Sequence, residues 1–384
     1  MHTGRRFQGD LNESSRDGEN AYRGRSRPPT MGGDRDRDPV EAAGGAGRDL
    51  YDIATWEPRT RLDRLAVGLY VAVVRTVRAV VVLVAVAILV AQFALTGLAA
   101  VANPSVGAFT LLSIVPALAV VIYVRRASTA MREPLRGLVG TFLLGVLFAG
   151  FAAVLNSLAG PGFSVVPLVG MPLFFYLIVG PVEETVKLLA VRLYAFRSDS
   201  FDTVVDGAVY GAVAGLGFAT IENALYIGQQ YLSAMEGTVG ASVVAATAGT
   251  AAARTFAGPG HVIYSGIAGY YLGLAKFNRE NAGPIVVKGI LLAAFIHATY
   301  NTLVGVVPRL VTVFYPQVPP AVAFIGFVVV FDGFAALFLF RKIARYRSVW
   351  TAVDAGASGS STGVAIDGEG NEVSAPKAVP DDDG

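Results

Sequence analysis

Eight stretches of apolar residues stand between polar segments along the chain, at roughly 79–101, 107–124, 137–158, 170–194, 205–229, 258–275, 287–307 and 320–340. Each is about 18–25 residues long, what a helix needs to cross about 30 Å of hydrocarbon at 1.5 Å per residue. None alternates polar and apolar positions over ten residues, so lipid-facing strands are excluded. The expected fold is all-α, a polytopic membrane helical bundle of about eight transmembrane helices. A weaker apolar stretch, 239–256, contains Arg254 and ends at Gly258-Pro259-Gly260, which suits a re-entrant or surface helix.

The flanks have no such pattern. Residues 1–63 are rich in Arg, Asp, Gly, Ser and Pro with no helical or strand period, and cannot bury enough apolar area to offset the entropy of ordering. No apolar run follows the first charged residues, which argues against a cleavable signal peptide. Residues 350–384 end in Asp381-Asp382-Asp383 and read likewise. The expected organisation is a disordered polar tail (1–63), an eight-span membrane domain (64–349) and a disordered acidic tail (350–384).

Composition supports this division. Of the 384 residues, 53% are hydrophobic and 16% charged, with mean hydropathy +0.54, where soluble proteins carry about 25% charge. That excludes a soluble globular enzyme. The absence of cysteine excludes a thiol nucleophile, a thiolate zinc site, a disulfide framework and an S-palmitoyl anchor. Charge placement gives orientation. Arg59, Arg61, Arg64, Arg75 and Arg78 precede the first span, and alternation then puts Arg125, Arg126, Arg132, Arg136, Arg192, Arg197, Lys276, Arg279, Lys288, Arg341, Lys342, Arg345 and Arg347 on the same side. By the positive-inside rule the chain is a multi-pass cell-membrane protein with both termini cytoplasmic.

Ionisable groups inside a bilayer cost about 2.5–3.5 kcal/mol each, so each is a functional suspect. The fourth span holds Glu183, Glu184 and Lys187; the fifth, Asp206 and Glu222-Asn223; the sixth, His261; the seventh, His297; the eighth, Asp332. Glu183 and Lys187 are i,i+4, as are Phe218 and Glu222, His261 and Ser265, Ser265 and Gly269, and His297 and Asn301. Such positions share a helix face. Four consecutive spans thus each carry one polar stripe, and with lipid outside the stripes should meet in a buried cavity. Glycines 207, 211, 215, 217, 266, 269 and 273 allow close approach around it. Simple counting places Glu222 and His261 nearer the outer leaflet than Glu183, a mismatch that a break at Pro181 or in the sixth span would remove.

A carboxylate among apolar walls can act as a general base, with imidazole or carboxamide groups opposite to hold water or an oxyanion. Two histidines and a glutamate also suit zinc or another divalent metal with one position open for water. A glutamate-activated water needs no metal, and the residues leave both arrangements open. Either activates water inside a membrane, which points to peptide hydrolysis in or beside the bilayer.

Glu183-Glu184-x-x-Lys187, Phe218-x-x-x-Glu222-Asn223, His261-x-x-x-Ser265-x-x-x-Gly269 and His297-x-x-x-Asn301 together resemble the four motifs of the PrsW family of intramembrane proteases. That family is distantly related to CAAX prenyl endoproteases and bacteriocin-processing proteins. The resemblance covers about residues 137–307. It implies a glutamate-dependent or metal-assisted endopeptidase cutting membrane-anchored proteins, for example a single-pass regulatory protein, with lipid and no nucleic acid as its other partner. By motif, Glu183 is the expected general base, and Glu184 a carboxylate paired with Lys187. His297 and Asn301 would bind water or metal and the scissile carbonyl, and His261, His297 and Glu222 would form the metal set. Phe218, Asn223, Ser265 and Gly269 would shape the substrate cavity.

Blander readings stand beside each motif: a self-neutralising ion pair for Glu183-Glu184-Lys187, an interhelical hydrogen bond for Glu222-Asn223, satisfied bundle histidines for His261 and His297. Asp332 matches no motif and reads as structural. The Gly-x-Gly-Asp and His-Glu-x-x-His signatures are absent, and Gly356-Ala357-Ser358-Gly359, which mimics a rhomboid serine motif, lies in the acidic tail. Buried Glu, His and Lys also serve proton-coupled transporters, although no inverted repeat is visible. A catalytically silent membrane scaffold is the third class.

Overall fold

The computed structural model describes residues 49–52, 55–128, 133–237, 241–360 and two two-residue strands, β1 (Ala365–Ile366) and β2 (Glu372–Val373), which pair antiparallel. Most of the expected N-terminal tail, Arg132, and the rest of the acidic tail lie outside these residues. The chain divides into two units, Met1–Val80 and Val81–Gly384.

In the first unit, Thr60 and Asp63 form a reciprocal cap at the start of α1 (Arg61–Ala102). Asp63 accepts from the Thr60 amide at 2.6 Å while the Thr60 hydroxyl accepts from the Asp63 amide at 3.1 Å. Tyr51 also donates to Asp63, and Arg59 pairs with Asp49 and Glu57.

The second unit is a helical bundle. Its helices are α2 (Pro104–Ala127), α3 (Leu135–Ser164), α4 (Gly170–Phe174), α5 (Gly180–Leu193), α6 (Val204–Gly237), α7 (Ala241–Lys276), α8 (Ala282–Leu303), α9 (Val307–Phe314) and α10 (Pro320–Ser360). Among the described residues, six stretches are long and apolar enough to cross a membrane: Arg61–Leu98, Pro104–Ala127, Leu135–Ser164, Val204–Glu236, Arg279–Phe314 and Pro320–Ala352. These match six of the eight expected spans. The chain is a multi-pass membrane protein.

The other two expected spans differ from expectation for physical reasons. Span 170–194 is broken: α4 passes through a π-helical turn, Phe175–Val179, into α5, so no single piece reaches the spanning length. Span 258–275 is the second half of α7, a continuous 36-residue helix that also takes in 241–256 and runs through Pro259. The Gly258-Pro259-Gly260 break is therefore not made, and 241–256 is neither a separate re-entrant nor a surface piece. Likewise α10 continues through Ser360, so Gly356-Ala357-Ser358-Gly359 is helical.

Helix α6 is the hub. In Val204–Glu236, 94% of the most apolar window is buried, against 22–33% for Pro104–Ala127, Leu135–Ser164, Arg279–Phe314 and Pro320–Ala352, which turn apolar sides outward to lipid. Its close partner is α7. Methyl groups added at Gly207, Gly211 and Gly215 would run into the carbonyls of Gly269, Ser265 and His261 respectively. Only glycine allows that approach, and the row sets the depth of His261 and Ser265 against α6. Asp206, a suspect by position, is explained by capping. It accepts from the Thr203 and Asp202 amides at 2.6 and 2.9 Å, and the Thr203 hydroxyl accepts from its own amide at 3.2 Å.

Candidate active site

Glu183 of α5, Glu222 of α6, Arg254 and His261 of α7 and His297 of α8 line one cavity of about 480 Å³. From α5, whose first turn follows the π-helical break, Glu183 and Glu184 point inward with Lys187 one turn on; all three are buried. The Lys187 ammonium lies 2.8 Å from Glu184 Oε1, 3.5 Å from Glu183 Oε2 and 2.9 Å from His261 Nδ1. It also sits 4.1 Å from the centroid of the Phe218 ring, a cation–π contact.

Each imidazole is held by a carboxylate on one nitrogen and faces Glu183 with the other. His297 Nδ1 is 2.9 Å from Glu184 Oε1, which leaves Nε2 3.8 Å from Glu183 Oε2. His261 Nε2 is 2.7 Å from Glu222 Oε2, which leaves Nδ1 4.0 Å from Glu183 Oε2. An ionised carboxylate accepts from the nearer N–H, and in a neutral imidazole the facing nitrogen then carries the lone pair. Glu183 itself accepts from Asn156 Nδ2 at 3.0 Å on Oε1, while its Oε2 is buried without a hydrogen-bond partner.

The remaining predicted residues fall around this centre. Ser265 donates to Glu184 Oε2 at 3.1 Å. Phe218 packs against His261 with ring centroids 5.5 Å apart. Asn223 lies one residue beyond Glu222 and ties three helices together: its Nδ2 donates to Ser113 Oγ on α2 at 3.0 Å, and its Oδ1 accepts from Arg254 Nε on α7 at 2.9 Å. Gly269 is one of the glycines that set the α6–α7 distance. Asn301 lines the cavity and makes no side-chain hydrogen bond among the described residues.

Residues outside the motifs also belong here. Arg254 lines the cavity, pairs with Glu222 and lies 4.5 Å over the Tyr226 ring. Its signal was present in the spacing, since Arg254, Gly258, His261, Ser265 and Gly269 recur every three or four residues along one face of α7. Asn156, a lone carboxamide in an apolar span, orients Glu183. Tyr264 lines the cavity, its ring centroid 5.6 Å from that of His297, and donates to Asp332 Oδ1 at 2.5 Å. Asp332 thus touches the cavity wall only through Tyr264.

Glu183, His261 and His297 each offer a donor atom, and these atoms lie within 4.8 Å of one another. The carboxylate of this trio is Glu183, whereas Glu222 sits behind His261 and is engaged by Arg254. The donor set is of the kind that binds zinc, and a second carboxylate stands behind each imidazole, as around ligating histidines. Together with the orphaned Glu183 oxygen, this fits a divalent cation. A cation taking all three donors would displace the Lys187 ammonium from His261 Nδ1.

Comparison with known proteins decides the class. The family model described as PrsW family intramembrane metalloprotease matches residues 133–334. This chain belongs to the PrsW family. Among similar proteins is the Protease PrsW of Halalkalibacterium halodurans, 28% identical over 198 residues, covering 51% of this chain and 83% of the relative. That of Geobacillus kaustophilus is 30% identical over 198 residues, covering 51% and 80%. That of Bacillus subtilis is 27% identical over 195 residues, covering 49% and 78%. No solved structure matches. The PrsW match spans α3 to α10 and takes in all four polar stripes. The protein is an intramembrane protease, which sets the transporter and scaffold readings aside.

Proposed function

We propose that Glu183 is the general base of this protease, activating a water held between His261 and His297 to hydrolyse a peptide bond in or next to the transmembrane segment of a membrane-anchored protein. The observation that carries the reading is the Glu183 Oε2 atom, which is buried, without a hydrogen-bond partner and faced by two imidazole nitrogens in a lined cavity. In the reaction Glu183 takes a proton from water, and the resulting hydroxide oxygen bonds to the scissile carbonyl carbon as the C=O π pair moves to oxygen. When that pair returns, the C–N bond breaks and the departing nitrogen takes the proton back from Glu183, leaving a carboxylic acid and a new N-terminal amine.

The other residues serve this step. Glu184 and Glu222 fix the two ring orientations, Lys187 offsets the adjacent carboxylates, and Asn301 donates its amide N–H to the developing oxyanion. If zinc or a similar ion is bound, its holders are Glu183, His261 and His297. It would supply Lewis-acid polarisation of the carbonyl and a more acidic water. The clustering of Arg and Lys on alternate loops supports cytoplasmic termini.

The test compares new protein N-termini in cells carrying the wild type and Glu183→Gln at matched membrane abundance. The variant keeps the shape of the side chain and removes the base. Termini at the edge of a single-pass segment, present only with the wild type, are the expected result and would name the substrate. Equal cleavage by both forms would refute Glu183 as the base.

A further inference from the structure

Away from the cavity, α7 and α10 form a second concavity of about 620 Å³ at the far end of the last span. One face of α10 lines it in two halves. Phe334, Leu337 and Phe338 are exposed apolar residues. Arg341, Lys342 and Arg345 continue the same face at three- and four-residue steps, beginning where the apolar run stops at residue 340. From Phe334 to Arg345 the helix rises about 16 Å, the distance from upper acyl chain to headgroup. The Lys342 ammonium lies 5.0–5.3 Å from the ring centroids of Tyr270, Tyr271 and Phe338. Among the described residues no ion pair engages Arg341, Lys342 or Arg345.

We infer that this groove binds an anionic phospholipid, its phosphate held by Arg341, Lys342 and Arg345 and its acyl chain lying over Phe334, Leu337 and Phe338. Arg341 and Arg345 are exposed and Lys342 is half-buried among aromatic rings, all three without carboxylate partners among the described residues and just past the end of the apolar run. The apolar half of the same groove selects a lipid over free phosphate. Basic pockets beside membrane helices recognise headgroups by this combination of charge and position.

The test uses the full-length protein in nanodiscs containing equal amounts of phosphatidylglycerol and phosphatidylcholine, with retained lipids counted by native mass spectrometry. Each surface cation is worth about fivefold in binding an anionic headgroup, so Arg341→Gln with Arg345→Gln should lower the anionic-over-zwitterionic ratio about 30-fold. Arg341→Lys with Arg345→Lys should keep the ratio. Arg75→Gln with Arg78→Gln, a basic pair elsewhere, should also keep it. An unchanged ratio in the first double variant, or an equal loss in the Arg75/Arg78 pair, would overturn the assignment in favour of general surface charge.

Discussion

Replacing Lys187 with Met removes the ammonium that lies 2.8 Å from Glu184 and 3.5 Å from Glu183 while keeping a long apolar stem against Phe218. At an effective dielectric of about 20, the two Coulomb attractions are about 6 and about 5 kcal/mol. Desolvating a buried ammonium takes back several kcal/mol, and breaking a buried pair costs about 3–5 kcal/mol overall. For a membrane body of this size that is a fall of about 5–8 °C in midpoint temperature. The assay is thermal unfolding of the purified protein in nanodiscs with a chelator present, followed by a zinc titration. In the variant, Glu183, His261 and His297 lose their competing cation, so zinc should restore part of the loss, about 2.7 kcal/mol at a hundredfold excess over Kd. Wild type should respond less. An unchanged midpoint for the variant in chelator would refute the role of Lys187 as counter-charge. A full loss with no zinc response would refute the three donors as a cation site.

Other residues give separate tests. Gly211→Val places side-chain atoms where an added Cβ already stands 3.0 Å from the Gly269 Cα; it should separate α6 from α7 and lower membrane abundance and midpoint together, by about 1–3 kcal/mol or more. Gly249→Ala, in a helical position with nothing within 4 Å, should be neutral or raise the midpoint by about 0.5–1 kcal/mol. Tyr264→Phe leaves Asp332 without its hydrogen-bond donor, and should cost about 1–3 kcal/mol in a chemical or thermal melt. Arg254→Gln should lower kcat about tenfold through Glu222 and His261, with abundance unchanged and partial recovery in Arg254→Lys; an equal loss in both would point to shape, not charge.

How far the site could be read from sequence follows from the cost of polarity in lipid. Glu183, Glu184, Lys187, Glu222, His261 and His297 are legible because hydrocarbon leaves them one place to go, the bundle interior, and their three- and four-residue spacing fixes which face they share. Pairing across helices is not legible, because it depends on depth along each axis. The π-helical turn at Phe175–Val179 and the unbroken passage of α7 through Pro259 bring Glu183 opposite both imidazoles, while Glu222 stands behind His261. The motif reading put Glu222 with His261 and His297 in the metal set. Arg254 was hidden for the same reason, since a break at Gly258-Pro259-Gly260 would have cut it off from the His261 face. The glycine row was legible as a need for close approach, yet which carbonyls it admits required the helices' register.

The two expected spans that fall outside the six clearly spanning stretches, 170–194 and 258–275, bear Glu183, Glu184, Lys187 and His261, and Arg254 stands on the same helix just ahead of the second. Both pack against α6, whose apolar window is 94% buried. Inside that packing, three acidic side chains, Glu183, Glu184 and Glu222, face the basic side chains of Lys187 and Arg254. A purely structural network in a low-dielectric interior is favoured when acidic and basic groups are matched, and here three acidic side chains meet one Lys and one Arg, with two imidazoles between them. The carboxylate oxygen among them that has no hydrogen-bond partner is Glu183 Oε2, the atom proposed to take the proton from water.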